Sequence, residues 1–279
     1  MTLTNHDVAE LRDHAKAIRR LVIEAITHAG TGHAGSSLSM IEILVLLYFR
    51  HLKIDPERPH WDDRDRFILS KGHGAPGLYA TLAHAGYFPI AEMMTLRGFG
   101  SRLQGHPNAA ALVGIDASTG SLGQGLSIAA GLAHGLRLQG KVSRVVCVLG
   151  DGEMQEGQNW EAFMVGSALK LGNLLAIVDR NRLQNDGPTE SIVPIDSLVA
   201  KAEAFGWHSC EVDGHNFQAL DGAIAAARLR PDRPSLIVAQ TVKGKGVSFM
   251  EDQVKWHHHP LSQEERRIAL IDIEMAHGL

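Results

Sequence analysis

The sequence predicts an α/β domain with a doubly wound, mainly parallel sheet, and three observations predict it. Short apolar strands alternate with helical patterns along the chain, the order expected of βαβ units. The 279 residues show no internal repeat, low-complexity tract or interdomain linker, and a chain of that length buries roughly 75% of its unfolded surface in one domain. Three of the strands run directly into unusual polar sequence. In open sheets of this class, ligands bind beyond the carboxyl ends of the strands.

The elements follow in order. Asp7 to Ala29 and Ser37 to Leu52 read as helices. RFILS (Arg66 to Ser70) is the first strand. Leu122 to Leu138 is a helix opened by small residues, and RVVCVLG (Arg144 to Gly150) follows as a buried strand. Trp160 to Leu171 is helical, NLLAIVD (Asn173 to Asp179) is a strand, and SCEV (Ser209 to Val212) is a short one. Phe217 to Leu229 completes the helices, and PSLIVAQT (Pro234 to Thr241) completes the strands.

Composition narrows the class. With 44% hydrophobic and 21% charged residues the chain reads as a soluble protein, and its net charge of −4 argues against a nucleic-acid partner. No apolar run approaches the roughly 18 residues of a membrane span, and the polar first twenty residues do not read as a signal sequence, so no membrane is expected and the cytoplasm is the expected location. Cys147 and Cys210 lack metal spacing and read as reduced core residues. Sixteen histidines are the compositional oddity.

The stretch GDGEMQEG, Gly150 to Gly157, puts an acid between two glycines where a buried strand ends. Gly150 and Gly152 let the backbone turn and approach a ligand, and Asp151 is then a carboxylate held at a strand end. Asn181 follows about thirty residues later at the end of the next strand, the length of one βαβ unit. A hard cation such as Mg²⁺ takes about six oxygens and usually shares them with phosphates. Asp151, Asn181 and the carbonyl of Leu183 would supply half of such a shell.

GDG, an EG-containing helix start and a strand ending in Asn resemble the thiamine diphosphate-binding motif, and the rest of the chain is similar to the transketolase family. The resemblance runs through TGHAGSSLS (Thr31 to Ser39), LSKGHGAPGLYA (Leu69 to Ala80), QGHPN (Gln104 to Asn108), TGSLGQGLSIAAG (Thr119 to Gly131), GDGEMQEG, VDRNRLQNDG (Val178 to Gly187) and TVKGKGVSFMEDQVKWHHHP (Thr241 to Pro260). It implies the thiamine diphosphate-binding fold, with Asp151, Asn181 and Leu183 holding Mg²⁺ (or Ca²⁺ or Mn²⁺) against the diphosphate. It implies that His106 contacts the ketose's first hydroxyl and that His33 and His257 contact donor oxygens and move protons. His73 and Lys243 would lie near the diphosphate, and Gly120, Ser121 and Leu122, with Gly150 and Gly152, would face the cofactor. Glu156 resembles an acid in the network that joins two active sites across an interface. Asn185 is either a ligand contact or a turn former before Asp-Gly. His258 and His259 read as exposed neighbours.

The same resemblance implies that residues 1–279 are one diphosphate-binding domain. The pyrimidine-binding domain and its activating glutamate would then lie on a C-terminal subunit, in an α2β2 heterotetramer acting on sugar phosphates. Ala34 stands where the family usually has a proline after His33, and Ser121 replaces a proline of the long transketolases. Both lie where the donor sugar would sit, so a pentose phosphate, a branched sugar phosphate or a sulfonated hexose is compatible. Two alternatives stand beside this reading. A 2-oxoacid dehydrogenase or deoxyxylulose phosphate synthase type of enzyme would differ in a pyruvate decarboxylation assay, and a non-catalytic assembly subunit would not need the intact Asp151, Asn181 and histidines.

Overall fold

The computed structural model describes residues 3–275. Helix α1 (Asn5–Ala29) opens two residues before the sequence reading because Thr4 and Asp7 cap each other. Thr4 Oγ1 accepts from the Asp7 N–H at 3.2 Å, and the Asp7 carboxylate accepts from the Thr4 N–H at 2.7 Å. The stretch read as one helix over Ser37 to Leu52 is instead α2 (Ala34–Leu38), α3 (Ile41–Leu46) and a wider turn at Leu47–His51. The break falls at Ser39 and Met40, where Ser39 Oγ donates to Asp179 Oδ2 at 2.6 Å. A functional tether has overridden a continuous helical pattern.

Strand β1 (Arg66–Leu69) leads into α4 (Ala75–His84), a helix of small and apolar residues that periodicity had not separated from its motif. Helix α5 (Gln124–Leu138) starts two residues later than read because Gly123, at φ +85°, is left-handed. Then come β2 (Val145–Gly150), α6 (Gly157–Ala168) and β3 (Leu174–Arg180). A small antiparallel pair, β4 (Leu183–Gln184) and β5 (Gly187–Pro188), precedes α7 (Thr189–Ile192) and α8 (Leu198–Ala204). The chain closes with β6 (His208–Asp213), α9 (Phe217–Arg228), β7 (Ser235–Gln240) and α10 (Gln263–Met275).

Five strands form one sheet in the order β1-β2-β3-β7-β6, every pairing parallel. Alternate side chains explain why its central strands read as unbroken apolar runs. Val146, Val148, Leu175, Ile177, Ile237 and Ala239 join a core with Ile18 of α1, Leu44 of α3 and Ile224 of α9. The intervening Val145, Cys147, Leu149, Ala176, Val178 and Val238 join a second core with Leu126 of α5, Phe163 of α6 and Leu198 of α8. The sheet is therefore doubly wound, as the sequence predicts. Among the described residues no helix is long and apolar enough to cross a membrane.

Candidate active site

The register of the sheet levels two strand ends: Gly150 of β2 stands opposite Asp179 of β3. Just past them, Asp151 and Asn181 line the same cleft together with Leu183, His73, His257, Lys243, Leu122 and Glu156. The cleft has a volume of about 260 Å³ and opens to solvent. Asp151 is buried, and its carboxylate accepts from the Gly152 N–H at 2.7 Å, from Arg180 Nη1 at 3.2 Å and from the Arg182 N–H. Burial, then the charge of Asp179, push its pKa above the usual carboxylate range. Asn181 Oδ1 accepts from the Leu183 N–H at 3.2 Å, and the Leu183 carbonyl accepts from Lys243 Nζ at 2.8 Å.

Beneath this floor lies a buried ion pair, Lys71 with Asp179. Asp179 also accepts from Ser39 Oγ, Thr241 Oγ1 and Asn181 Nδ2, so its carboxylate is fully engaged. Burial opposes its charge, but Lys71 and the two hydroxyls overcome that and hold its pKa low. Lys71 Nζ donates further to the Ser36 carbonyl at 3.0 Å, which ties α2 to the strand ends. Both residues lie within stretches that carry the family resemblance, but the sequence reading gave neither a role in the site. The available signal was a charged residue closing each of two apolar strands.

Three imidazoles converge beside the cleft: His73 and His257 line it, and His33, which does not, packs against both. The His33 ring centroid lies 5.3 Å from that of His73 and 5.6 Å from that of His257, and His73 and His257 stack at 5.2 Å. Burial lowers the pKa of His33 to about 3, aided by His258 and Arg97, and that of His257 to about 3, aided by Lys243. His73 is held well below the ordinary range by burial and Lys71. All three are neutral at physiological pH. Lys243 Nζ lies 2.8 Å from His257 Nδ1, and burial, then Lys71, bring its pKa down to about 8. The Lys243 ammonium donates to His257 Nδ1, which leaves that ring's proton on Nε2.

His106 stands apart from these three and is exposed. Its carbonyl accepts from the Tyr79 hydroxyl at 3.0 Å, and its ring backs onto Gly120, where a Cβ would come within 3.2 Å. Gly120 and Ser121 do not line the cleft, whereas Leu122 does. His258 is exposed as read, yet its ring packs 4.6 Å from that of His33. His259 instead meets the Trp256 ring edge-on. Asn185 lines the cleft and its amide reaches only its neighbour Asp186, at 3.2 Å.

Sequence reasoning missed Glu153. Its buried carboxylate accepts from the Gly123 N–H and the Gly150 N–H, both at 2.9 Å, and from the Ser70 hydroxyl. It thus gathers the ends of β1 and β2 and the start of α5. Glu156, three residues on, is exposed and covers Gly123, where a Cβ would fall 2.7 Å from Glu156 Cβ.

The donor set tests whether a metal and a diphosphate fit. Asp151, Asn181 and the Leu183 carbonyl are oxygen donors of the kind a hard divalent cation takes. Two buried side-chain oxygens of the cleft lining, Ser36 Oγ and Gln184 Oε1, have no hydrogen-bond partner within the protein. Lys243 already shows that a positive charge is drawn to the Leu183 carbonyl. These residues fit the group.

The family model described as "Transketolase, thiamine diphosphate binding domain" matches residues 11–275. The chain belongs to the transketolase family. Among its transketolase relatives, the 6-deoxy-6-sulfo-D-fructose transketolase subunit SqwG of a Clostridium species is 44% identical over 95% of this chain and 96% of its own length. An apulose-4-phosphate transketolase subunit from Actinobacillus succinogenes is 41% identical, again over 95% and 96%. The transketolase of Pongo abelii is 45% identical over 90% of this chain, but the match spans only 40% of that protein. In structure, Campylobacter jejuni transketolase superposes with a TM-score of 0.89 at 29% identity, covering 95% of this chain and 42% of that one. This transketolase chain therefore corresponds in extent to the separately named subunits and to about two-fifths of the long enzymes.

Proposed function

We propose that this chain is the diphosphate-holding subunit of a two-chain transketolase, which moves a two-carbon ketol unit from a ketose to an aldose. The observation that carries the reading is the shared cleft of Asp151, Asn181 and Leu183 with His73, His257 and Lys243. Thiamine diphosphate, when bound, supplies the nucleophilic carbon for the transfer. Asp151, Asn181 and the Leu183 carbonyl would hold a divalent metal, Mg²⁺ with Ca²⁺ or Mn²⁺ as substitutes. His73 and Lys243 would meet the diphosphate, and Gly120, Ser121, Leu122, Gly150 and Gly152 would let the backbone approach the cofactor. Glu156 would join the acid network at the interface.

The histidines carry the proton work in this reading. His257, whose Nδ1 takes a hydrogen bond from Lys243, presents its Nε2–H as a donor to a substrate oxygen. His33, neutral through burial, can donate at one nitrogen and accept at the other. His106, on the exposed side of Gly120, would hold the ketose's first hydroxyl. Burial keeps His33 and His257 uncharged, so each serves as a neutral hydrogen-bond donor and acceptor, and taking up a proton would need a substrate anion beside the ring to offset the charge.

In this reading residues 1–279 are one diphosphate-binding domain, and a partner chain carries the pyrimidine-binding domain and its activating glutamate, in an α2β2 assembly in the cytoplasm. Support comes from relatives that are themselves named as subunits and match nearly end to end. An anionic ketose, phosphorylated or sulfonated, is the donor class, since the two relatives are named for one of each. The test is ketol transfer by the purified chain alone and after adding its C-terminal partner. Transfer is expected only with both; full turnover by the isolated chain, free of host enzyme, would overturn the two-chain reading.

A further inference from the structure

Away from the cleft, Arg19 of α1, Glu42 of α3 and His215, in the turn between β6 and α9, form a chain of charge and hydrogen bonds. Arg19 and Glu42 are fully buried. Arg19 Nη2 donates to Glu42 Oε1 at 2.6 Å, and His215 Nδ1 lies 2.9 Å from Glu42 Oε2. His215 Nε2 accepts from the Val242 N–H at 2.8 Å, so the ring is neutral with its proton on Nδ1, donated to Glu42. Arg19 Nε donates to the Lys245 carbonyl at 3.1 Å. The outward-reaching bonds therefore end on the backbone of one loop, at Val242 and Lys245.

Between those two anchors sits Lys243, whose ammonium reaches the Leu183 carbonyl and His257 Nδ1. The loop is tight elsewhere as well. The Gly244 N–H donates to the Gly35 carbonyl at 3.0 Å, and a Cβ on Gly35 would lie 3.0 Å from Lys243 Cγ. Burying an arginine and a glutamate is costly, and apolar residues of similar volume would join α1 to α3 at less cost. Retaining the ions makes physical sense where their remaining bonds fix something else.

We propose that Arg19, Glu42 and His215 form a positioning relay that sets the backbone on both sides of Lys243 and thereby the affinity for the cofactor's diphosphate. The proposal rests on the reading of the cleft as a thiamine diphosphate site. His215 is a positioning residue within it. A glutamine could replace its ring, offering an N–H to Glu42 and a carbonyl to Val242 from one end group, whereas phenylalanine offers neither.

The experiment measures binding of thiamine diphosphate with Mg²⁺ to the assembled two-chain enzyme, and amide hydrogen exchange of the full chain without ligand. His215→Phe is expected to raise Kd about tenfold, the size of one lost hydrogen bond to a buried partner, and to speed exchange at Val242. His215→Gln should stay within about threefold of wild type in both, a rescue that general loss of packing would not give. Should the phenylalanine variant not fold, His215→Asn carries the test, since it can reach Glu42 but is too short for Val242 and should show the same faster exchange. Wild-type exchange at Val242 in the phenylalanine or asparagine variant, or equal loss of affinity with glutamine and phenylalanine, would overturn the relay. Failure of the wild-type enzyme to bind thiamine diphosphate would overturn the cofactor reading instead, and the exchange comparison would still decide whether the loop is clamped.

Discussion

The Glu153 carboxylate accepts a hydrogen bond from the backbone N–H of Gly123 at 2.9 Å, so a residue just past β2 fixes where α5 begins. Its oxygens also receive the Gly150 N–H and the Ser70 hydroxyl. Glu153→Gln replaces one acceptor oxygen with an amide NH2 that faces a donor. A loss of about 1–3 kcal/mol is expected in urea unfolding, with weaker thiamine diphosphate binding in the assembled enzyme. An unchanged unfolding midpoint would remove Glu153 from this role.

Asp151→Asn takes away the anionic oxygen of the expected metal shell. Calorimetry with Mg²⁺, thiamine diphosphate and the partner chain should show affinity reduced by about tenfold or more, while unfolding stays cooperative. Wild-type affinity would mean that Asp151 serves Arg180 and the turn rather than a metal.

His106→Ala isolates a substrate contact from the cofactor cleft, since His106 lies outside the three-ring cluster. Ketol transfer should drop in kcat/KM with nearly unchanged cofactor Kd. Equal loss of both would move His106 into the cofactor site.

The half-buried imidazoles give a pH prediction. Burial lowers the folded pKa of His33 and of His257 to about 3, against about 6.5 in an unfolded chain. The unfolded state then binds more protons than the native state below about pH 6.5. Stability linked to these residues is present above that value and is lost as the pH falls toward 3. Histidine-ring NMR of the full chain should show neither ring titrating between pH 5 and 8; an inflection in that range for either would contradict the burial argument.

Much of this was legible in the sequence because sheet strands buried on both faces leave a strong apolar signature. All five main strands were found within one residue at each end, and the polar turns after β2 and β3 pointed to the cleft. Helices whose identity depends on context were less legible. The Ser37 to Leu52 pattern broke because the Ser39 hydroxyl serves Asp179, a partner 140 residues away that no local window contains. Helix α4 is buried along almost its whole length, so it shows no polar face. The exposed α10 has only Ala269 and Ile273 buried. Within the site, motif positions flagged the groups that would face a ligand, whereas Lys71, Glu153 and Arg180 bond inward to the protein.

The buried pair of Lys71 and Asp179 bears on how this lineage can drift. Changing either residue alone strands a charge in the interior, a penalty of about 3–5 kcal/mol for a buried pair, comparable with much of a domain's total stability. The two positions, 108 apart in sequence, are therefore energetically coupled. The escape route is unequal. Asp179 retains donors from Ser39, Thr241 and Asn181 when Lys71 is lost, while Lys71 without Asp179 keeps only the Ser36 carbonyl among its hydrogen-bond acceptors in the structure. Loss of the lysine alone should accordingly cost less stability than loss of the aspartate alone.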